Sequence, residues 1–170
     1  TRCYGVTPDK VKVVYLAVDE MFRPVESSET VQAVKQRHGI AGPYFLHLGT
    51  LQPRKNIIGL LEAFASLLKD HHGIKLVLAG RKGWLYEPVF RRLRELGLDE
   101  DVVVADYVSE ANLPALIAGA LALVFPSFYE GFGLPPLEAM ACGTPVIVSN
   151  VASLPEVVGD AGLFIDPNNW

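Results

Sequence analysis

Apolar, β-branched runs alternate along this chain with stretches of helical periodicity. Strands are expected at residues 11–16, 44–48, 75–79, 102–107, 121–127, 145–149 and 163–166, and helices at 29–38, 57–69, 86–96, 110–118, 137–141 and 154–158. The strand runs are almost continuously apolar, the pattern of strands buried on both faces. Such alternation predicts an α/β fold: a Rossmann-like, doubly wound parallel sheet with helices on both faces, forming a single domain over residues 1–170. In these sheets ligands gather beyond the carboxyl ends of the strands. Gly49, Gly80, Val108 and Glu130 all follow predicted strand ends. The stretch through Pro24 has little helical signal and reads as a strand plus a linker-like loop.

Composition narrows the function. The chain has 170 residues, 50% hydrophobic and 20% charged, enough for a domain that buries roughly 70% of its unfolded surface. A net charge of -4 argues against a nucleic-acid surface, so an anionic ligand must be met by local charge. No apolar run approaches the roughly 20 residues of a membrane span, and the first residues lack signal-peptide shape. Two cysteines, Cys3 and Cys142, fit a reduced, cytoplasmic setting, with Cys142 a small core residue.

The chemistry concentrates after the strand at 121–127. There Phe128-Tyr129-Glu130-Gly131-Phe132-Gly133-Leu134-Pro135-Pro136-Leu137-Glu138 sets two glutamates eight positions apart around a glycine loop. Pro135 and Pro136 suit the first turn of a helix, where a missing N–H costs nothing. Gly131 and Gly133 let backbone amides approach an anion or a sugar hydroxyl, with the positive end of the helix dipole behind them. One carboxylate can then face a transferred group while the other accepts hydrogen bonds from a ribose. Taken singly, Glu138 also reads as an acid complementing the helix dipole, and Glu130 as a solvated loop residue.

A second basic segment supports the anion reading. Behind the strand ending at Gly49, Thr50-Leu51-Gln52-Pro53-Arg54-Lys55-Asn56 leads into an amphipathic helix, so Arg54 and Lys55 form a candidate diphosphate cradle. Charge-assisted hydrogen bonds of this kind contribute about 1.5–3 kcal/mol each. A Walker loop is excluded, because Arg54 stands where the glycine before the lysine should be. A further loop, Ala79-Gly80-Arg81-Lys82-Gly83, follows the next strand.

The segment from Glu130 to Glu138, continued by Ala-Met-Ala-Cys-Gly-Thr-Pro-Val-Ile, closely resembles the E-x7-E signature of retaining glycosyltransferases of two-domain GT-B architecture, the family that includes sucrose synthases and bacterial mannosyltransferases. The resemblance extends over nearly the whole chain and implies the donor-binding half of such an enzyme, with the acceptor-binding N-terminal domain absent from this chain. It implies roles residue by residue: Lys55 and Arg54 on the donor's diphosphate, Glu130 and the amides of Phe132, Gly133 and Leu134 on the sugar, Glu138 on the ribose, and backbone at Val108 on the nucleobase. Gly49, Thr50, Gly80, Arg81 and Gly131 complete the expected binding set, and Glu130, Lys55 and Arg54 the catalytic one. The family commonly carries an arginine where this chain has Thr50, which leaves Arg54 or Arg81 to supply that charge, or Thr50 to offer a hydroxyl and an N–H alone. The variant Gly-Thr-Leu-x-Pro-Arg-Lys-Asn resembles that of bacterial mannosyltransferases and implies GDP-mannose as donor. No metal and no resident cofactor are implied, since the nucleotide diphosphate sugar is itself a substrate. The acceptor, a sugar or a lipid-linked one, would be met through the missing domain, as would any membrane association.

Other candidates carry less. Asp99-Glu100-Asp101 mimics a D-x-D metal motif but lies on a polar helix-to-strand turn, where a solvated cluster is expected. His71-His72 lacks partners at zinc-ligand spacing. His47 reads as a core histidine or one backing the site, Tyr107 as packing, and Ser109 as an N-cap. A non-catalytic nucleotide-binding module and a glycoside phosphorylase remain as alternative functions of the same pattern.

Overall fold

Among residues 4–169, which the computed structural model describes, six strands form one parallel sheet. They are β1 (Tyr44–Leu48), β2 (Lys75–Ala79), β3 (Val102–Asp106), β4 (Ala122–Phe125), β5 (Val146–Ser149) and β6 (Leu163–Ile165), in the order β3-β2-β1-β4-β5-β6. Between and before them lie α1 (Ser28–Arg37), α2 (Ile57–Leu67), α3 (Glu87–Glu95), α4 (Leu113–Ala118), α5 (Leu134–Ala141) and α6 (Leu154–Val158). Proline in the first turn of α3, α4, α5 and α6 sets where each begins. The hydroxyl of Ser27 does the same for α1 by accepting from the amide of Thr30.

Alternation along the strands divides the core into two layers. Tyr44, Leu46, Leu48, Leu123, Phe125, Val146 and Val148 pack with α1, α4, α5 and α6. Leu76, Leu78 and Val102 pack on the opposite face with α2 and α3. Leu46, Leu123 and Phe125 are fully buried, each contributing about 1.5–3 kcal/mol by leaving water. The phenol of Tyr44, also fully buried, donates to the carbonyl of Leu116 at 2.6 Å.

This topology creates the crevice. From β1 the chain winds to β2 and β3 on one side, and from β4 to β5 and β6 on the other. The loops leaving β1 and β4 therefore diverge above adjacent strand ends, and a gap opens between them.

Several expectations need correction. Residues 11–16 join no strand; they are exposed, and Tyr15 is tied to Glu156 by its hydroxyl at 2.6 Å. Both edges of β1 are taken by β2 and β4, and the run pairs with neither outer strand, β3 or β6, although all but Lys12 of its residues are apolar. Helix α5 starts at Leu134, three residues before the expected 137, because Gly133 turns at φ 114° and both prolines fit the first turn. Glu138 consequently sits in the second turn. Ser109 does not cap with its side chain; its carbonyl accepts from the amides of Asn112 and Leu113 through a 3-10 turn at Glu110–Asn112. Cys3 lies outside the described residues, while Cys142 is buried.

Candidate functional site

Glu130 is the centre of the site. The loop after β4 carries it back over the 3-10 turn Pro53–Lys55 that precedes α2. Lys55 Nζ donates to Glu130 Oε1 at 2.7 Å, and Arg54 Nη1 lies 2.8 Å from Oε2. Lys55 and Glu130 are 7% and 8% exposed, so the pair is shielded from solvent screening. Arg54 also donates to the carbonyl of Tyr129, and its own carbonyl accepts from the amide of Phe128. Two residues adjacent in sequence thus hold a loop some 75 positions away.

The pocket behind Lys55 explains its aim. Its ammonium stands 4.4 Å from the centroid of the Phe125 ring, a favourable cation–π placement. His47 stacks near the same ring at 5.9 Å and donates from Nδ1 to the carbonyl of Val124. Burial depresses the pKa of His47 to about 4, so no second positive charge competes with Lys55. At Gly49 a Cβ would lie 3.2 Å from Lys55 Cε, so the missing side chain leaves the lysine its path.

Burial works against charge on Glu130, but the hydrogen bonds from Lys55 and Arg54 prevail and hold its carboxyl below the ordinary range. Burial likewise lowers the pKa of Lys55, and Glu130 offsets part of that. Glu138 differs. Among the described residues it has no cationic partner, and burial pushes its carboxyl up. It lines a cleft of about 190 Å³ with Leu48, Gly49, Gly80, Tyr107, Val108 and Pro135, at the carboxyl ends of β1, β2 and β3.

The structure thus brings together Lys55, Arg54 and Glu130 in one ion cluster, and Gly49, Gly80, Val108 and Glu138 in one cleft. Gly49 belongs to both, since it lines the cleft and abuts Lys55. Thr50 is exposed at the exit of β1. Gly133 is needed for packing, since a Cβ there would lie 2.7 Å from Leu154. At Gly131 a Cβ would meet nothing within 4 Å. Phe132 lies in the loop entering α5, and Leu134 is the first residue of that helix, its amide without an acceptor in the helix. Asp101 pairs with Lys75 at 2.8 Å beside the amino end of β3, on the rim opposite the cleft.

Three participants escape a sequence reading. Tyr107, expected to pack, is 58% exposed and walls the cleft, because Asp106 turns into the left-handed region at φ 46° and ends the ladder at a bulge. Phe125 looks like any core aromatic. Ser153 opens a Ser-x-x-Glu pattern typical of a capping box. Its hydroxyl instead lies 2.6 Å from the carbonyl of Phe132 and 3.0 Å from that of Glu130, pinning the glycine loop from behind.

Comparison with known proteins identifies the family and the fold. The family model described as "Glycosyl transferases group 1" matches residues 31–170. The chain is 43% identical over 170 residues to O-antigen chain mannosyltransferase B of Escherichia coli, covering 99% of this chain and 44% of that protein. It is 31% identical to O-antigen chain mannosyltransferase RfbU of Salmonella typhimurium, over 99% of this chain and 43% of the relative. Among solved structures, Anabaena Alr3699/HepE in complex with UDP and glucose superposes with a TM-score of 0.83 at 24% identity, over 96% of this chain and 45% of that one. The C-terminal domain of the glycosyl transferase group 1 protein LpcC from Francisella tularensis superposes with a TM-score of 0.73 at 24% identity, over 89% of this chain and 80% of that one. The chain thus spans less than half the length of the curated relatives it matches. Among the described residues no helix is long and apolar enough to cross a membrane.

Proposed function

This chain belongs to the group 1 glycosyl transferases, and on that premise we propose that it is the donor-binding domain of a retaining hexosyltransferase, paired in the whole protein with an acceptor-binding domain. The observation that carries this reading is the buried contact of Lys55 with Glu130 at the switch point of the sheet, beside a cleft lined by Glu138. The nucleoside lies in that cleft, its base against Val108 and its ribose hydroxyls donating to Glu138. The diphosphate reaches the ammonium of Lys55, and the sugar lies against Glu130 and the amides of Phe132, Gly133 and Leu134.

Transfer breaks the bond between the anomeric carbon and the diphosphate oxygen. The acceptor oxygen bonds to that carbon from the same face, and its proton passes to the leaving phosphate. Negative charge grows on the diphosphate as the bond lengthens, and Lys55 stabilises it more in the transition state than in the ground state. Arg54 acts mainly by holding Glu130 and its loop. Relatives named O-antigen chain mannosyltransferases support a mannose donor in polysaccharide synthesis, which we take to be GDP-mannose; the UDP and glucose held by HepE make UDP-glucose the comparison to run beside it.

A thermal-shift panel of UDP, GDP and ADP, each alone and as its common sugar conjugates, tests this. The preferred ligand at 100 times its dissociation constant raises apparent stability by about 2.7 kcal/mol. A panel in which no nucleotide shifts the transition refutes the donor site.

Glu138 adds a pH signature. A ribose hydroxyl donates to a carboxylate, so binding requires the ionised form. Because burial raises the pKa of Glu138, nucleotide affinity should fall, as the solution is acidified, at a higher pH than for an ordinary glutamate. The same shift means that its contribution to folding is full below the ordinary carboxylate pKa and is lost as pH rises through the raised one. Calorimetric titrations across that range should show the acid loss of affinity in the wild type and not in Glu138→Gln.

A further inference from the structure

The ion cluster leaves a diphosphate short of positive charge. Lys55 and Arg54 share the carboxylate of Glu130, so this end of the site carries one net positive charge, less than a diphosphate needs. Thr50, at the exit of β1, offers only a hydroxyl and an amide.

Arg81 stands close by without a carboxylate partner. The ion pairs among the described residues engage Arg54, Lys55, Lys75 and Arg92, and Arg81 is in none of them. Its main chain is fastened to the loop that carries Thr50: the amide of Leu51 donates to the carbonyl of Arg81 at 2.9 Å, and the amide of Gly83 donates to that of Leu51 at 3.0 Å. Leu51 and Lys82 also form an isolated parallel bridge. The guanidinium carbon of Arg81 lies 4.9 Å from the centroid of the Tyr107 ring, which walls the cleft with Gly49, Gly80 and Glu138. A flat cation held on an exposed ring at the cleft wall is placed for an anion rather than for the core.

We propose that Arg81 is the second phosphate-binding cation of this domain, in place of a charge at position 50, and that Tyr107 is the positioning residue that holds it there. The assignment rests on the donor-site reading above and names which side chain completes it. It also accounts for the bulge at Ala105 and the left-handed turn at Asp106 that follows it, which carry Tyr107 out of the sheet and under the guanidinium.

The test compares diphosphate with monophosphate binding, using GDP against GMP and UDP against UMP, by calorimetry on the wild type and four variants. Arg81→Ala should weaken GDP or UDP about tenfold or more while changing GMP or UMP far less, so the diphosphate-to-monophosphate ratio falls. Arg81→Lys should recover part of that ratio. Tyr107→Ser removes the ring and should lower the same ratio about threefold, and Tyr107→Phe, which restores a ring under the guanidinium, should recover most of it. Both positions are exposed, and denaturation midpoints close to wild type will show that the variants fold. A ratio unchanged in Arg81→Ala overturns the assignment of Arg81 alone. Equal losses for GDP and GMP in Tyr107→Ser would place Tyr107 on the base and overturn its positioning role. A wild-type domain that binds none of the four nucleotides overturns the donor-site reading and this assignment together.

Discussion

Replacing Lys55 with alanine is expected to remove detectable nucleoside diphosphate binding and to lower folding stability by about 3 kcal/mol. The stability loss follows from the burial of the pair: removing one partner leaves the carboxylate of Glu130 in a site from which water is largely excluded, a change that costs about 3–5 kcal/mol. Arg54 still reaches the second oxygen of Glu130, which places the effect at the lower end. The ammonium also leaves the face of Phe125. The double variant Lys55→Met/Glu130→Gln separates structure from function. With both charges gone and similar volumes kept, most of the stability should return while nucleotide binding stays lost. Urea denaturation and calorimetry on the three variants decide this. If Lys55→Ala binds GDP or UDP as tightly as the wild type, the lysine has no role on the phosphate. The pair also shapes the acid limb. Because Glu130 titrates below its ordinary range, its stabilisation is present above that range and is lost as pH falls through the lowered value; the double variant should lack this component.

Gly80→Ala is the second large effect, and it arises from backbone contact rather than charge. A Cβ on Gly80 would lie 2.0 Å from the carbonyl oxygen of Gly49 and 2.5 Å from its carbonyl carbon. Neither atom can swing away as a flexible side chain would. The amide of Gly80 is bonded to the carbonyl of Asp106 at 2.7 Å, which holds it from the β3 side, and the amide of Gly49 is bonded to that of Ala79 at 3.0 Å, which ties β1 to β2 at the point of contact. The methyl must force β1 and β2 apart where they form the floor of the cleft. A loss of about 3 kcal/mol or more is expected, at or above the usual range for overpacking, together with loss of nucleotide binding. Gly131→Ala is the control. Its Cβ meets nothing within 4 Å, and its stability should stay within about 0.5 kcal/mol of wild type. Equal denaturation midpoints for the two variants would refute the steric argument.

The order of strands and helices was legible because burial on both faces demands unbroken apolar runs, and β1, β2 and β3 fall within a residue of their expected ends. Residues 11–16 show the limit of that signal: an apolar run reveals strand propensity but not whether a neighbouring edge is open to pair with it. At the site, residue types and loop positions were legible, as glycine after a strand and paired carboxylates around a turn. The partner of each charge was not. Arg54 looked like a cradle cation and is committed largely to Glu130 and Tyr129, while Tyr107 looked like packing and forms the cleft wall. Ser153 carried no signal of a role at the site, and its hydroxyl holds the glycine loop.

Sequence by itself determined which segments are buried, where the chain must turn, and that a lysine and two glutamates flank loops at strand ends, since these depend on hydrophobic period and backbone freedom local to each residue. Tertiary structure alone decided that Lys55 meets Glu130 and that, among the described residues, Glu138 has no cation beside it and Arg81 no carboxylate. The reason is range. A hydrogen bond fails within about an ångström of its optimum, and bringing groups 75 residues apart to 2.7 Å depends on how β1 and β4 are paired and on every packed layer beneath them.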